Sequence, residues 1–295
     1  MIAQRISTQA HVRDYIALMK PRIIVLLLFT ALGGMFLAAE GAPGVTLTIA
    51  VLGAGALASG GANALNQWLE RDLDGQMTRT QNRPLVSGRV SPSKALIFGT
   101  ALNGVAFFLL STYVNTLSAV LTLSATLFYI LVYTMGLKRT TPHNIVIGGA
   151  AGAIPPMVGW AAVTGTLELP ALYLFAIIFF WTPPHFWALS LLLKDDYARA
   201  KIPMLPVVAG VDQTKNAIFL YTLLTVALTT MLFSTGAVGW IYLVTSSVMG
   251  VVFIYYAWLA MRTPGTQPAR GLFLYSMFYL ASLFMAVIVD STLAV

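Results

Sequence analysis

The stretch VTLTIAVLGAGALASGGANALNQWLERDLDGQMTRTQNRPLVSGR, from Val45 to Arg89, changes character at residue 70. Up to Leu69 it holds no charged side chain, and it is long enough to cross about 30 Å of hydrocarbon as a helix, which takes roughly 20 apolar residues. From Glu70 onward it is dense in acids, arginines and amides. Working outward, eight further apolar segments qualify as spans. The nine lie near residues 22–39, 45–69, 93–112, 117–136, 145–163, 170–192, 216–234, 239–261 and 271–290. Their apolar runs are continuous rather than alternating, which selects helices over barrel strands. The expected fold class is an all-α integral membrane protein. It is read as one polytopic domain over 1–295, with a short segment, 1–21, before a bundle over 22–290. The first span is too long for a cleaved signal core and eight more follow it, so it reads as a retained anchor.

Composition agrees with this map. Of 295 residues, 58% are hydrophobic and 9% charged, with a mean hydropathy of +0.81. Soluble domains run about 45–50% apolar and about 25% charged, so an ordinary water-soluble enzyme is excluded. The formal net charge of +7 is first a topology signal in such a chain, and nucleic acid drops out as a partner. The absence of cysteine removes disulfides, thiolate metal sites, iron–sulfur clusters and cysteine nucleophiles, leaving oxygen or imidazole to hold any metal. All 17 basic residues fall on one side of the map, from Arg5, Arg13, Lys20 and Arg22 through Arg71–Lys94, Lys138 and Arg139, Lys194–Lys215, to Arg262 and Arg270. The opposite side carries only Glu40, Glu168 and Asp290. The positive-inside rule therefore places the N-terminus in the cytoplasm, and an odd span count places the C-terminus outside. Two long inner loops, about 70–93 and 194–215, follow spans two and six on that same side, which hints at a parallel internal repeat.

On a helix, Asn66, Glu70 and Asp74 at i, i+4 and i+8 share one face, with Asn63 and Gln67 beside them and Gly75 as a stop. Two carboxylates and an amide one turn apart are hard oxygen donors of the kind Mg²⁺ accepts when substrate phosphates complete its shell. Arg79, Arg83 and Arg89 can present forked guanidinium groups to phosphate. Asp72 points elsewhere, toward Arg71, Arg79 or solvent. A solvated helix end is the plainer reading, but Asn63, Asn66 and Gln67 lie at or near hydrocarbon depth, where polar groups line cavities. The second loop, LKDDYARAKIPMLPVVAGVDQTK from Leu193 to Lys215, offers Asp195 and Asp196 for a second metal ion. Lys194, Arg199 and Lys201 are its candidate phosphate grips, and Tyr197 its hydrogen-bond donor. Alone it reads as a topology determinant or lipid-headgroup contact; paired with the first loop it suggests one diphosphate clamp.

Span six carries WTPPHFWALS, Trp181 to Ser190, in which Pro183 and Pro184 are expected to kink or break the helix. His185 has three readings from spacing: an iron ligand, a base, or a donor to a carbonyl freed by the prolines. Span five, TPHNIVIGGAAGAIPPMVGW, combines small residues that permit close helix packing with a second kink at Pro155 and Pro156. His143 reads as a surface residue at its inner mouth.

An apolar cavity opening toward a diphosphate clamp suits a substrate with a long isoprenoid tail and an anionic head. NQWLERDLD, from Asn66 to Asp74, resembles the NxxxDxxxD motif of the UbiA-type intramembrane prenyltransferases, with Glu70 where Asp is usual. ERDLDGQMTRTQNRPLVSG, TPHNIVIGGAAGAIPPMVGW and WTPPHFWALSLLLKDDYARAKIPMLPVV resemble, within that family, the branch that farnesylates haem. The resemblance runs from about Lys20 to Gly271. It implies nine transmembrane helices around a central cavity, dependence on Mg²⁺, and transfer of farnesyl from farnesyl diphosphate to a vinyl group of haem b, giving haem O and diphosphate. It further implies membrane lipids as surroundings and haem A synthase or terminal-oxidase assembly factors as partners; the short N-terminal segment, which contains Asp14, favours a bacterial inner membrane over an imported mitochondrial protein. By position, Asn66, Glu70 and Asp74 would bind the magnesium diphosphate with Arg71, Asp72, Arg79 and Arg83, and Lys194, Asp195, Asp196, Tyr197 and Lys201 would form the second half of the clamp. The adjacent acids depart from the family's DxxxD spacing. His185, with Trp181, is the implied haem contact. Rival readings are another acceptor, such as a quinone precursor or chlorophyllide, and a transporter; the latter would place acids near the midplane rather than at one mouth.

Overall fold

The computed structural model describes residues 11–293, so Arg5 of the basic set lies outside the described residues. A short helix α1 (Val12–Met19) leads into α2 (Pro21–Ala39), α3 (Val45–Leu69), a single turn α4 (Arg71–Asp74) and α5 (Pro92–Tyr113). Next come α6 (Thr116–Leu127), continued by a π-helical segment Phe128–Leu137, then α7 (Asn144–Ala153), α8 (Pro155–Thr164) and α9 (Leu169–Leu192). The chain closes with α10 (Lys194–Arg199), α11 (Leu205–Val208), α12 (Val211–Met231), α13 (Trp240–Arg262) and α14 (Pro268–Leu293). Among the described residues nine helical spans are long and apolar enough to cross a membrane, and no strand occurs. The spans match the hydropathy reading within a few residues; the largest shift is α12, which starts at Val211 and so takes Asp212 and Lys215 onto a helix.

Apolar residues lie on the outside as well as in the core, as a lipid solvent requires. In α13 the buried stripe is Tyr242, Ser246, Gly250, Phe253, Ala257 and Ala260, while Ile241, Val244, Val248, Val251, Tyr255 and Trp258 are exposed. Such a helix has no polar face, and only an apolar surrounding leaves it stable.

Close helix approach is decided by glycine. At the α2–α8 crossing, a Cβ on Gly34 would run into the carbonyl oxygen of Pro156, and one on Gly159 into the carbonyl oxygen of Ala31, so each glycine lets the partner's backbone in. Of the kink or break expected in span six and the kink expected in span five, the prolines produce an interruption only in span five. Pro183 and Pro184 do not break span six but lie inside a continuous α9, which packs against α7, α12 and α14, neighbours that keep it helical where the prolines remove backbone donors. It is span five that divides, with Pro155 opening α8 at its first turn, where a missing N–H costs nothing. The N-terminal segment likewise contains a helix, α1, that hydropathy did not announce.

Candidate active site

The end of α3 brings the first group together. The helix stops at Leu69, and Glu70 adopts a non-helical φ of −98° and ψ of 12°. Two hydrogen bonds nevertheless preserve the four-residue step: Glu70 N–H donates to Asn66 O at 2.9 Å and Asp74 N–H to Glu70 O at 2.8 Å. Asn66, Glu70 and Asp74 are all buried, with Glu70 2% and Asp74 4% exposed. Buried carboxylates need cations, and each has one. Arg83 Nη1 lies 2.7 and 2.6 Å from the two oxygens of Asp74. Lys138 Nζ lies 2.6 Å from Glu70 and bonds Oε2. That ammonium lies 2.6 Å from Oε1 as well as from Oε2, so it straddles the carboxylate.

Asn66 is held by two residues. Lys20 Nζ donates to its Oδ1 at 3.3 Å, and its Nδ2 donates to Thr134 Oγ1 at 3.2 Å. Lys20 sits at the junction of α1 and α2 in the left-handed region, φ 56°. Burial, then repulsion from Arg83 and Lys138, pushes its ammonium down to about 7, with Glu70 and Asp74 pulling the other way. Neither Lys20 nor Lys138 was singled out by the sequence reading except as a topology charge. The π-helical segment explains why Lys138 reaches Glu70. Its i→i+5 bonding, as in Lys138 N–H to Tyr133 O at 2.9 Å, aligns residues four or five apart, so Tyr129, Tyr133, Thr134 and Lys138 share one face. Tyr129 and Tyr133 stack at 5.6 Å, and Gly148 of α7 has no Cβ where the Tyr133 ring lies.

Other expected members lie elsewhere. Asn63 and Gln67 do not line the site; they donate to the carbonyls of Met19 at 3.0 Å and Leu18 at 2.8 Å, satisfying the end of α1. Arg71 is exposed and folds back onto the Trp68 carbonyl at 2.8 Å. Asp72 pairs with Arg139 at 2.9 Å through both oxygens, rather than with Arg71 or Arg79, and that guanidinium holds its carboxyl below the usual range. Arg89 grips Asp14 of α1 at 2.8 Å, which makes it a tie between α1 and the loop.

The second loop meets the first. Asp196 Oδ1 accepts from Thr78 at 3.3 Å and lies 3.1 Å from Arg199 Nη2 as an ion pair, and Arg199 donates to the same Thr78 hydroxyl at 3.1 Å. The two long helices end alike: α3 breaks at Glu70, α9 at Leu193 (φ −111°, ψ 20°), and each is followed by a short helix. In that register Tyr197 takes the place of Asp74. It is buried, and burial raises its hydroxyl, with Arg79 and Arg83 opposing and Glu70 and Asp196 adding to the shift. Asp195, Arg79 and Lys201 are exposed at the rim, and Lys194 is half-buried.

Among the described residues no three acids or imidazoles cluster closely enough to hold a metal ion alone. Two buried carboxylates and an amide oxygen fit Mg²⁺ that receives its remaining ligands from phosphate and water. Lys20, Arg83 and Lys138 around them fit the phosphate itself. Lys138→Met is expected to lower the melting temperature, because removing one partner of a buried pair costs about 3–5 kcal/mol. Added Mg²⁺ should recover part of that loss by giving Glu70 another cation. Differential scanning fluorimetry with and without Mg²⁺ checks this, and a loss indifferent to Mg²⁺ would take Glu70 out of the metal set.

Span six places its aromatic group about two turns before the end of α9. Trp181 Nε1 donates to the Ser276 carbonyl of α14 at 2.8 Å. His185 stacks between Trp181 at 4.4 Å and Phe273 at 4.7 Å, with Nδ1 2.8 Å from Ser276 Oγ. It therefore does not bond a proline-freed carbonyl.

Comparison with known proteins decides the family. Residues 27–283 match the model of the UbiA prenyltransferase family. The chain belongs to that family. Relatives include the protoheme IX farnesyltransferase of Symbiobacterium thermophilum, 49% identical with 98% of each chain covered, and that of Gloeobacter violaceus, 48% identical over 96% of this chain and 93% of the relative. Among solved structures, a digeranylgeranylglyceryl phosphate synthase superposes with a TM-score of 0.79 at 17% identity, covering 95% of this chain and 98% of the other. A UbiA homologue from Archaeoglobus fulgidus bound to GPP and Mg²⁺ gives 0.67 at 17% identity, covering 94% and 99%. This UbiA-family chain is thus a multi-pass membrane prenyltransferase, and the acid-plus-cation end described above is its candidate diphosphate site.

Proposed function

We propose that this enzyme transfers the farnesyl group of farnesyl diphosphate to a vinyl group of haem b, giving haem O. The observation that carries the diphosphate half is the pair of buried carboxylates, Glu70 and Asp74, each facing its own cation at one end of an apolar bundle. The haem half is supported by the relatives' names at 48–49% identity and by the His185–Trp181 group. Asn66, Glu70 and Asp74 would hold Mg²⁺, which when bound would supply positive charge against the leaving diphosphate. Lys20, Arg83 and Lys138 turn from the carboxylates to phosphate oxygens, with Arg79, Lys194, Tyr197 and Lys201 closing the rim. The C1–O bond of the allylic diphosphate breaks with its electron pair on oxygen, and the vinyl π pair forms the new carbon–carbon bond. The cation left beside the porphyrin ring takes water and loses a proton. Apolar walls withhold water from the allylic cation until then.

The whole chain acts as one membrane domain in a bacterial inner membrane, with the basic ends of the spans in the cytoplasm, where the diphosphate substrate is made. Its product feeds haem A synthase or terminal-oxidase assembly. The purified protein in nanodiscs, given labelled farnesyl diphosphate and Mg²⁺, is expected to convert haem b to a farnesylated, hydrated product and to leave 4-hydroxybenzoate untouched. Label appearing in 4-hydroxybenzoate but not in porphyrin would overturn the acceptor.

A further inference from the structure

Two residues one turn apart on α9 grip a single residue of α14. Trp181 donates to the backbone carbonyl of Ser276, and His185 Nδ1 meets the Ser276 hydroxyl at 2.8 Å. That hydroxyl also lies 2.7 Å from the Phe273 carbonyl of its own helix. A serine hydroxyl has one hydrogen to give. If it went to Nδ1, the short contact with the Phe273 oxygen would hold no hydrogen. If it goes to Phe273 O, His185 must supply the other proton from Nδ1, and both contacts become hydrogen bonds. The second arrangement makes two bonds instead of one, so the neutral ring is protonated at Nδ1 and bare at Nε2. Nε2 has no hydrogen-bond partner among the described residues.

The stacking completes the constraint. Trp181 and Phe273 lie nearly parallel to the imidazole, at 17° and 26°, one ring-stack on each side. They fix the ring plane, and Phe186 meets the ring at right angles, 5.4 Å between centroids. A ring fixed in plane, in rotation and in tautomer, with one nitrogen lone pair unbonded, is the arrangement that metal-binding histidines receive from their supporting hydrogen bonds. His185 lies seven residues before the end of α9, about 10 Å along the axis at 1.5 Å per residue, below the phosphate-binding end.

We infer that Ser276 is a positioning residue. It holds His185 in the Nδ1–H tautomer so that Nε2 binds the iron of the porphyrin acceptor and orients its vinyl group; this rests on the haem reading proposed above. A merely structural Ser276 would act on helix packing alone, and the Trp181 bond to its backbone carbonyl survives any side-chain change.

The test titrates ferric haem b and, separately, metal-free protoporphyrin IX into nanodisc-embedded wild type, His185→Ala, Ser276→Ala and Ser276→Thr, with absorption and electron paramagnetic resonance as readouts. Wild type and Ser276→Thr are expected to share an imidazole-ligated iron spectrum. His185→Ala loses it and regains it with added imidazole. Ser276→Ala weakens haem affinity roughly 10- to 100-fold, the usual loss when a ligand's supporting bond is removed, while metal-free porphyrin binds all four alike. Haem spectra and affinities unchanged in His185→Ala and Ser276→Ala, in a wild type that farnesylates haem, would overturn this inference and leave the acceptor reading standing. A wild type that neither binds nor farnesylates haem overturns both.

Discussion

Asp74→Asn is expected to lower the rate of prenyl transfer by about 10²–10³-fold while the protein still extracts and folds. The residue is nearly completely buried and faces Arg83 through both oxygens. The amide keeps one oxygen for the guanidinium, so packing survives, but the negative charge that attracts Mg²⁺ is gone. Losing one preorganised electrostatic contact to the developing charge of a transition state costs about 2.7–4 kcal/mol, and every 1.36 kcal/mol is a factor of ten. Steady-state assays at saturating farnesyl diphosphate, with circular dichroism as the folding control, measure the effect. Glu70→Gln should fall in the same range, since both carboxylates serve one ion. Near-normal turnover in either variant would remove the proposed metal site. Chelating divalent ions should silence the wild type to the same extent.

The second large effect is on folding. Gly159→Leu is expected to abolish recovery of folded, monodisperse protein, because even its Cβ would collide with the Ala31 carbonyl and crowd the backbone nitrogen of Met35 at 3.1 Å. Overpacking a core with a flexible neighbour costs about 1–3 kcal/mol. Here the neighbour is helix backbone, which cannot turn aside, so α2 and α8 must separate. Gly152→Ala is the control: a Cβ there meets nothing within 4 Å, and trading glycine for alanine within a helix gains roughly 0.5–1 kcal/mol. Size-exclusion profiles and thermal melts of the two variants should differ in opposite directions from wild type. A folded Gly159→Leu would show that the α2–α8 crossing is looser than its geometry implies.

Much of the site was legible because a helix repeats. Asn66, Glu70 and Asp74 were found by four-residue spacing alone, and two hydrogen bonds carry that spacing across the break at Glu70. The cations that meet them were not. Lys138 belongs to another span, and its reach depends on π winding that hydropathy does not register. Lys20 reads as one more inner charge until α1 turns into α2 and delivers it to Asn66. Asn63 and Gln67 misled for a related reason: amides at membrane depth can line a cavity or satisfy a neighbouring helix end, and only the position of α1 shows the second. Asp195 and Asp196 looked like the counterpart of the first acids, yet register puts Tyr197 in the inward place.

The chain's own chemistry settled what each segment must do in a bilayer. Apolar length fixed the spans, charge asymmetry fixed their common polar end, and the four-residue step put Asn66, Glu70 and Asp74 on one face, since these are local properties that any surrounding would preserve. Which cation meets which carboxylate, which proline breaks its helix, and how His185 holds its proton were decided by packing. Those outcomes depend on groups from different helices arriving within about 3 Å of one another, the range over which a hydrogen bond forms, and sequence separation does not measure that distance.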